Sequence, residues 1–246
     1  MDFSISGIKN KILKLNNAHY ARLKSQYTRI TSRTGPAAGK FDETVFHKRV
    51  YIVLSRYRSL LGHGFQAALN EHSFRVLLNH FGVKFECFAS PLNSTCNSFS
   101  SAFPRSDAFF GSIGNFFSLR PTSGSFEANP PFIPEVMMTM CTHITTLLTT
   151  ASGPMSFVVI IPGWEDDPAW IALSESKFKK QQWLIAACDH GYCDGAQHQR
   201  QDRYRESTYD TGVFVLQNDL GAKKWPSNNP LVESSLREAM AHAIPT

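Results

Sequence analysis

The sequence Asn-Pro-Pro-Phe at residues 129–132 follows directly on a short strand-like run. Pro130 and Pro131 fix two φ angles and remove two backbone N–H donors, so neither a helix nor a sheet ladder continues through them. The side-chain carbonyl of Asn129 and the backbone carbonyl of Pro130 are then two acceptors on a rigid backbone. Phe132 adds a flat face on which a nucleobase can stack.

Acceptors held in this way suit the methylation of an exocyclic amino group. The lone pair of adenine N6 is delocalised into the ring, so an enzyme must stabilise the positive charge that develops on nitrogen. A sulfonium methyl donor already carries a good leaving group, so no covalent enzyme nucleophile is required. The alternative interpretation of the same residues is a proline-rich turn with a capping asparagine.

A methyl donor needs a second loop at the same edge of the protein. The run FECFASPLN (85–93) ends a predicted strand in a turn, as a motif for S-adenosylmethionine should, but it lacks the usual glycine-rich form. Glu86 is the carboxylate on that strand, and Asp107 follows near the ~20-residue offset at which acidic groups bind ribose hydroxyls. The alternative for Asp107 is an ordinary surface aspartate. The run FFGSIG (109–114) offers a backbone that permits close approach and aromatic rings that can cover the donor.

Other side chains further along the chain are candidates for substrate contacts. Lys177, Lys179 and Lys180 can contact phosphates, or they can form a solvated helix face. Trp164 follows a predicted strand and can stack on the target base, or it can pack within a loop.

A histidine-rich run at 190–198 raises the possibility of a metal site. His190 and His198 flank Cys193, but this spacing lacks the paired ligands of a structural zinc site, so we predict no metal. A dedicated general base is not required either, because water can take the proton from the methylated amine.

The pattern of apolar residues predicts an α/β domain. Strands alternate with helices and several strands are apolar throughout, which indicates a largely parallel sheet covered on both faces. In such sheets ligands bind beyond the carboxyl ends of the strands, where residues 129–132 and the turn SPLN (90–93) are both expected. We predict one or two basic helices in 1–34, a linker at 34–40, helices at 41–62, 65–82, 135–148 and 174–182, and strands at 83–89, 124–128, 155–162, 183–189 and 211–219.

The charge of the chain is uneven. Of the net +5, residues 1–40 carry eight basic side chains and one acid, so the remaining residues carry 17 basic and 19 acidic side chains. A basic arm on a near-neutral body suits a polyanionic partner, nucleic acid above all. The alternative is a solvated tail.

Composition also indicates the cellular compartment. No apolar run approaches the ~18 residues of a membrane span, and the N-terminus lacks the apolar core of a signal peptide. The five cysteines are odd in number and form no C-x-x-C pair. We therefore predict an intracellular protein with reduced thiols and no membrane partner.

Six strings in the same order resemble the catalytic domain of the phosphorylated-CTD-interacting-factor family of methyltransferases: FECFASPLN, SAFPRSDAFFGSIGNFF, SGSFEANPPF, SFVVIIPGW, SKFKKQQ and VFVLQNDLGAKKW. The resemblance covers about residues 65–225. It implies a Rossmann-like S-adenosylmethionine-dependent enzyme that methylates N6 of the 2′-O-methyladenosine next to the 7-methylguanosine cap of mRNA. Residues 1–64 are then a basic helical extension, and residues 226–246 are a C-terminal tail that we expect to be peripheral.

The resemblance assigns roles by position. The catalytic motif is Asn129, Pro130, Pro131 and Phe132. The predicted donor-binding residues are Glu86, Phe88, Ala89, Ser90, Pro91, Leu92, Asn93, Asp107, Phe110, Gly111 and Ser112. The run HGYCDGAQH keeps the His, Tyr, Gly, Gln and His of the family pattern, so His190 and His198 are placed in a substrate loop.

The chain also departs from that family as we know it. We find no WW module for the phosphorylated polymerase tail and no long helical domain for the cap pocket, so we expect no WW-type binding, and a partner subunit, Trp164 or the basic arm would have to supply cap recognition. The resemblance implies a nuclear protein, otherwise a cytoplasmic one. Two alternatives stay open: N6-methylation of adenine in DNA or at internal RNA sites, and a catalytically silent RNA-binding subunit.

Overall fold

The computed structural model describes residues 2–3, 12–34, 41–60, 67–200 and 202–245. The helices in these ranges are α1 (Asn17–Thr34), α2 (Glu43–Ser59), α3 (Glu71–Phe81), α4 (Pro104–Asp107), α5 (Pro134–Thr150), α6 (Pro168–Ser174), α7 (Asp219–Lys224) and α8 (Leu231–Ala241). The strands are β1 (Asp2–Phe3), β2 (Leu13–Lys14), β3 (Ala67–Ala68), β4 (Phe85–Ala89), β5 (Ser98–Ser101), β6 (Gly124–Ala128), β7 (Met155–Pro162), β8 (Lys179–Ile185), β9 (Gly191–Asp194), β10 (Tyr204–Glu206) and β11 (Thr211–Gln217).

Six strands form a central sheet in the order β5-β4-β6-β7-β11-β8. β5, β4, β6 and β7 are parallel, whereas β11 runs antiparallel to both of its neighbours. β7 and β11 are buried along their whole length, as expected of central strands that are covered on both faces. This mostly parallel sheet with flanking helices confirms the predicted α/β, Rossmann-like fold class.

A small second sheet joins two distant parts of the chain. β9 pairs with β10 on one side and with the two-residue strand β3 on the other, all antiparallel. The carbonyl of Ala67 on β3 accepts a hydrogen bond from the side chain that follows β6, as described below.

Helices cover both faces of the central sheet. On one face α5 and α6 bury residues such as Met140 and Ile144 against Phe157 and Phe214. On the other face α3 packs Leu77 against the remaining side chains of the same strands. Two separate apolar clusters, one on each face, therefore hold the central sheet in place.

The C-terminal segment is not peripheral, so that expectation was wrong. α8 buries Val232, Leu236 and Met240 in the same cluster as α3. These residues lie four apart, which places them on one face of a helix. The periodicity that would have indicated this packing was therefore present in the sequence.

The two N-terminal helices form a third cluster. Leu23 and Tyr27 of α1 pack with Phe46 of α2, and the pair also contacts Leu92 and Phe110 of the body. The predicted helices are thus confirmed, and they lie against the loop that follows β4. The boundaries 1–64, 65–225 and 226–246 stay predictions; residues 35–40 of the proposed linker and the first boundary lie outside the described residues.

Helix ends follow their capping residues. Asp42 caps α2 by accepting a hydrogen bond from Val45 N. α3 begins at residue 71 rather than 65 because Asn70 caps it through Ser73 N, and it ends at Gly82 with φ 65°.

One predicted helix was wrong. Residues 174–182 were expected to be helical, but the chain leaves α6 at Ser174 and enters β8 at Lys179. β8 is an edge strand of the sheet, where a partly exposed face tolerates Lys and Gln. Polar residues without strict alternation therefore gave no strand signal.

No helix in the part of the chain described here is long and apolar enough to cross a membrane. The five cysteines are free thiols.

Candidate active site

The Asn-Pro-Pro-Phe motif after β6 contains a buried hydrogen-bond acceptor that has no donor among the described residues. Asn129 is 8% exposed, and its Nδ2 donates to the carbonyl of Ala67 at 2.7 Å. That bond fixes the orientation of the amide, and Oδ1 is buried with no hydrogen-bond partner among the residues that the structure describes. The carbonyl of Pro130 likewise accepts no hydrogen bond from a described residue. Two acceptors one residue apart are thus free to bind a ligand.

These acceptors border a cleft of about 230 Å³ at the carboxyl ends of three strands. The residues that line it include Tyr57, Ala67, Phe74, Glu86, Phe88, Ala89, Ser90, Asn93, Ser100, Ser101, Phe116, Phe117, Glu127, Asn129, Pro130 and Pro131. Eight of the predicted site residues are among them: Glu86, Phe88, Ala89, Ser90, Asn93, Asn129, Pro130 and Pro131. The structure therefore brings the Asn-Pro-Pro corner and the loop after β4 to one cavity.

The loop after β4 is a closed turn. Oδ1 of Asn93 accepts hydrogen bonds from the backbone N–H and the hydroxyl of Ser90, at 2.7 and 2.8 Å. Oε1 of Glu86 accepts from the backbone N–H groups of Thr95 and Cys96. Side chains thus fix the shape of a loop that has no glycine to shape it.

Basic side chains of α1 hold this loop from outside. Arg22 donates to the carbonyls of Pro91 and Ser94, both at 2.9 Å, and Arg29 donates to the carbonyl of Asn97 at 2.8 Å. Part of the basic charge that suggested a nucleic-acid partner is therefore used within the protein. Pro91 and Leu92, both predicted to bind the donor, lie in this loop but do not line the cleft.

Two buried carboxyl groups lie side by side in the cleft. Glu86 on β4 is the register partner of Glu127 on β6, and both line the cavity. Burial raises the pKa of Glu86 to about 7, against the lowering effect of its two backbone donors. Burial, and then the charge of Glu86, raises the pKa of Glu127 well above its usual range. Near neutral pH this pair therefore holds at least one proton.

The predicted segment 107–112 lies behind the cleft rather than in it. Asp107 is fully buried and accepts a 2.6 Å hydrogen bond from the hydroxyl of Tyr57. Ser112 bonds to Ser101 at 2.8 Å. Asp107 and Ser112 thus position two side chains that do line the cavity. A direct bond from Asp107 to a ribose is not supported by this placement, because its oxygens are engaged by Tyr57 and Ser106.

Phe110 and Gly111 also have packing roles. Phe110 is fully buried in the cluster formed with α1 and α2. Gly111 has φ 115°, and a Cβ there would lie 2.8 Å from the carbonyl of Asn97. The close approach that the glycines predicted is therefore to the protein backbone.

Phe132 packs in an aromatic cluster behind the motif. It is 2% exposed and makes edge contacts with Trp164, Tyr192 and Tyr209, at centroid distances of 6.5, 6.4 and 5.9 Å. Trp164 also contacts Tyr209 directly. The structure thus brings Trp164 next to the catalytic motif, but Phe132 has no open face toward the cleft. Its role as a stacking platform stays a prediction.

Lys177, Lys179 and Lys180 do not line the cleft. Lys179 and Lys180 begin β8, which is parallel to β7, so they lie at the opposite edge of the sheet. Lys180 forms an ion pair with Asp219 at 3.8 Å, Lys179 donates to Gln182, and Lys177 lies over the ring of Phe178. Their placement gives no support to contacts with a substrate in the cleft.

The two predicted histidines are also buried away from the cleft. His190 has both ring nitrogens bonded, to the carbonyl of Ala186 at 2.7 Å and to the hydroxyl of Thr211 at 2.8 Å, and burial lowers its pKa. Burial lowers the pKa of His198 to about 4. His190 therefore holds the small sheet against β11 in its neutral form.

A second, polar cleft of about 170 Å³ adjoins the first and shares Leu69 and Asn93 with it. It is lined by His19, Arg22, Glu71, Thr95, Cys193, Gln197 and Arg203, among others. Burial lowers the pKa of His19 to about 4, so this histidine is neutral beside two arginines. Cationic side chains thus lie directly beside the predicted methylation site.

Sequence reasoning missed several residues of the first cleft. Glu127 on β6 lies two residues before Asn129, which follows the strand, and a period of two places both on one side of an extended backbone. That spacing could have identified it. Tyr57, Ser100 and Ser101 gave no such signal, because α2 and β5 meet there only through packing.

The cleft falls within a region that matches a known family. The model described as "Phosphorylated CTD interacting factor 1 WW domain" matches residues 22–195 of this chain, from α1 to just beyond β9, and so includes the residues that line the first cleft. The chain belongs to this family.

Two curated relatives of the phosphorylated-CTD-interacting-factor family are similar over most of the chain. A Homo sapiens protein, named mRNA (2′-O-methyladenosine-N(6)-)-methyltransferase, is 40% identical over 208 residues, 79% of this chain and 30% of its own length. A Mus musculus protein of the same name is 36% identical over 230 residues, 88% of this chain and 31% of its own. The chain thus spans about a third of the length of these relatives.

A solved structure is also similar at low level. The crystal structure of a Thermoplasma acidophilum protein covers 80% of this chain and 97% of its own, with 10% identity and a TM-score of 0.31. A likeness at that score carries no argument.

Proposed function

We propose that this chain is an mRNA methyltransferase that transfers a methyl group from S-adenosylmethionine to N6 of an adenosine, the one next to the 5′ cap. The observation that carries the proposal is the buried Oδ1 of Asn129 at the border of the cleft, which has no hydrogen-bond partner in the described ranges of the chain. The names of the two relatives support the reaction type and the substrate.

Asn129 and Pro130 act on the amino group. Oδ1 of Asn129 and the carbonyl of Pro130 accept the two N6–H hydrogens, which aims the nitrogen lone pair and stabilises the positive charge that develops during transfer. The bond from Nδ2 to Ala67 keeps the amide from turning, so the acceptor is oriented before substrate binds. Water then takes the surplus proton.

The cleft has the chemical character that the methyl donor requires. S-adenosylmethionine would supply an activated methyl group when bound. The rings of Phe88, Phe116 and Phe117 offer an apolar wall for its adenine and thioether portions, and Ser100 and Ser101 offer hydroxyls at the end of β5. The fixed turn at 90–93 closes the side nearest α1.

The RNA enters from the side of the second cleft. Arg203 lines that cavity and favours a phosphate beside the target base, whereas Arg22, which also lines it, is engaged by the carbonyls of Pro91 and Ser94. A cap-adjacent adenosine is unpaired, so no energy is needed to extract it from a duplex. We propose a nuclear site of action and a protein partner that supplies cap recognition, without WW-type binding to the phosphorylated polymerase tail.

The test is nucleoside mass spectrometry after incubation of the protein with labelled donor. Three substrates are compared: a capped RNA that begins with 2′-O-methyladenosine, the same RNA without a cap, and a DNA oligonucleotide of the same sequence. N6-methylated 2′-O-methyladenosine in the capped RNA is the expected result, and it should be restricted to that RNA when nuclear extract supplies the partner. Equal methylation of capped and uncapped RNA would remove the cap from the proposal, and methylation of DNA would favour the alternative substrate. No methylated adenosine in any substrate would overturn the proposed activity.

A further inference from the structure

Glu127 is a buried carboxyl group without a partner. It is 2% exposed, it lines the first cleft, and its Oε2 has no hydrogen-bond partner among the described residues. A buried polar atom of this kind normally finds a partner, because its desolvation is costly. The absence of one suggests a ligand.

Glu86 limits what that ligand can be. It lies opposite Glu127 on the neighbouring strand, and its Oε1 is already engaged by two backbone N–H groups. Two carboxyl groups in contact with one cavity disfavour an anionic ligand and favour a cationic one. The described residues include no group of three acidic, histidine or cysteine side chains that could hold a metal ion. An organic cation therefore fits better than a metal.

The proposed methyl donor carries such a group. Besides its sulfonium it has an ammonium on the amino-acid moiety, with three N–H donors and no acceptor. We propose that Glu127, with Glu86 beside it, forms a cation subsite in the buried part of the cleft that binds this ammonium group. The inference rests on the proposed function and adds to it the residues that recognise the amino-acid end of the donor.

The protonation of the pair supports this assignment. Both carboxyl groups have a raised pKa, about 7 for Glu86, so the pair holds at least one proton near neutral pH. An ammonium favours the ionised carboxylates, so binding should release a proton. The other titratable or charged groups that act on the pair are Cys87, Cys96, Tyr192 and Arg22. Burial raises the pKa of both thiols and of the phenol, so these three stay neutral and the proton must come from the carboxyl pair.

Two matched probes isolate the ammonium. 5′-(3-Aminopropylthio)-5′-deoxyadenosine has the amine of the donor but neither its carboxylate nor its sulfonium, and 5′-(propylthio)-5′-deoxyadenosine differs from it only by lacking the amine. Isothermal titration calorimetry measures both affinities for the full chain, in two buffers of different ionisation enthalpy so that proton release is also measured. S-adenosylhomocysteine serves as the reference ligand.

The amine probe should bind at least ~10-fold more tightly than the propyl probe and release a proton, as expected for hydrogen bonds that involve charged groups. In Glu127→Gln the two probes should bind within ~3-fold of each other. Glu175→Gln, which removes an exposed carboxylate distant from the cleft, should retain the wild-type difference.

Equal affinity of the two probes for the wild-type protein, or binding without proton release, would overturn the subsite while leaving the methyltransfer proposal intact. A wild-type difference that persists in Glu127→Gln would also overturn it. If neither probe nor S-adenosylhomocysteine binds, the proposed function fails and the subsite with it. Should Glu127→Gln fail to fold, the comparison of the two probes on the wild-type protein, with its proton release, decides the question.

Discussion

Replacing Asn129 by alanine should separate catalysis from stability. The substitution removes Oδ1, which accepts no hydrogen bond from the residues that the structure describes, and one donor bond from Nδ2 to Ala67. One neutral hydrogen bond contributes about 0.5–1.5 kcal/mol to the free energy of unfolding. Loss of one acceptor for the developing charge costs about 2.7–4 kcal/mol, or about 10²–10³ in kcat.

Asn70 provides a matched control. It is also a buried asparagine whose Nδ2 donates to a carbonyl, that of Ala239 at 2.7 Å, but its Oδ1 is fully used by the backbone N–H and hydroxyl of Ser73. Asn70→Ala removes an N-cap and leaves a buried carbonyl unpaired, so we expect about 2 kcal/mol of destabilisation or more, with kcat within ~3-fold of wild type.

The assay combines urea denaturation, single-turnover methyl transfer to a capped RNA and calorimetric binding of S-adenosylhomocysteine. Asn129→Ala should lose kcat while its stability falls less than that of Asn70→Ala and its affinity for S-adenosylhomocysteine changes less than ~3-fold. If Asn129→Ala keeps its turnover, the free acceptor is not catalytic. If both variants lose turnover in proportion to stability, the effect is structural.

Four further predictions follow from single contacts. Arg22→Met should weaken S-adenosylhomocysteine binding about 10-fold, because two charge-assisted bonds to the loop after β4 are lost; calorimetry with unchanged affinity would contradict this. Glu127→Gln should stabilise the donor-free protein relative to wild type at about pH 8, and less so near pH 5. The reason is that a carboxyl group whose pKa is raised in the folded state loses stabilising free energy as pH rises toward that pKa, and glutamine does not ionise. Urea denaturation at both pH values measures the free energy of unfolding. Arg203→Gln should reduce the salt dependence of RNA binding, with a slope smaller by about 1 in a plot of log affinity against log salt, and an unchanged slope would exclude a phosphate contact. Gly82→Ala should destabilise the protein by more than ~1 kcal/mol in denaturation experiments, since φ is 65° and the added Cβ would lie 2.5 Å from the indole nitrogen of Trp225.

The local features of the site could be predicted from the sequence. Two prolines end β6 wherever the strand lies, so the rigid corner at 129–132 depends on residues that are adjacent in the chain. β6 and β7 have the predicted boundaries because their apolar runs are also bounded by neighbouring turn residues. The resemblance of six strings then placed the chain in its family, and the family model bears this out.

The tertiary structure alone decided which polar groups meet. Asn129 is oriented by Ala67, 62 residues earlier, and that carbonyl is in place only because β3 pairs with β9. Glu127 becomes a candidate ligand only when β6 lies beside β4 and no donor from the described part of the chain reaches its Oε2. Such contacts depend on how whole elements pack, and no local propensity encodes them.

The basic N-terminal arm also shows what the sequence determines and what the packing decides. Its charge was evident from the sequence, but the use of Arg22 and Arg29 to bind loop carbonyls follows from the packing of α1 against the turn after β4. Likewise Lys179 and Lys180, though they belong to one of the family strings, lie at the far edge because β8 is parallel to β7. Sequence determined the elements, their ends and the chemistry of the motif, because these depend on neighbours within a few residues. Fold determined which of these residues share a cavity, because burial and strand order bring together residues far apart in the chain.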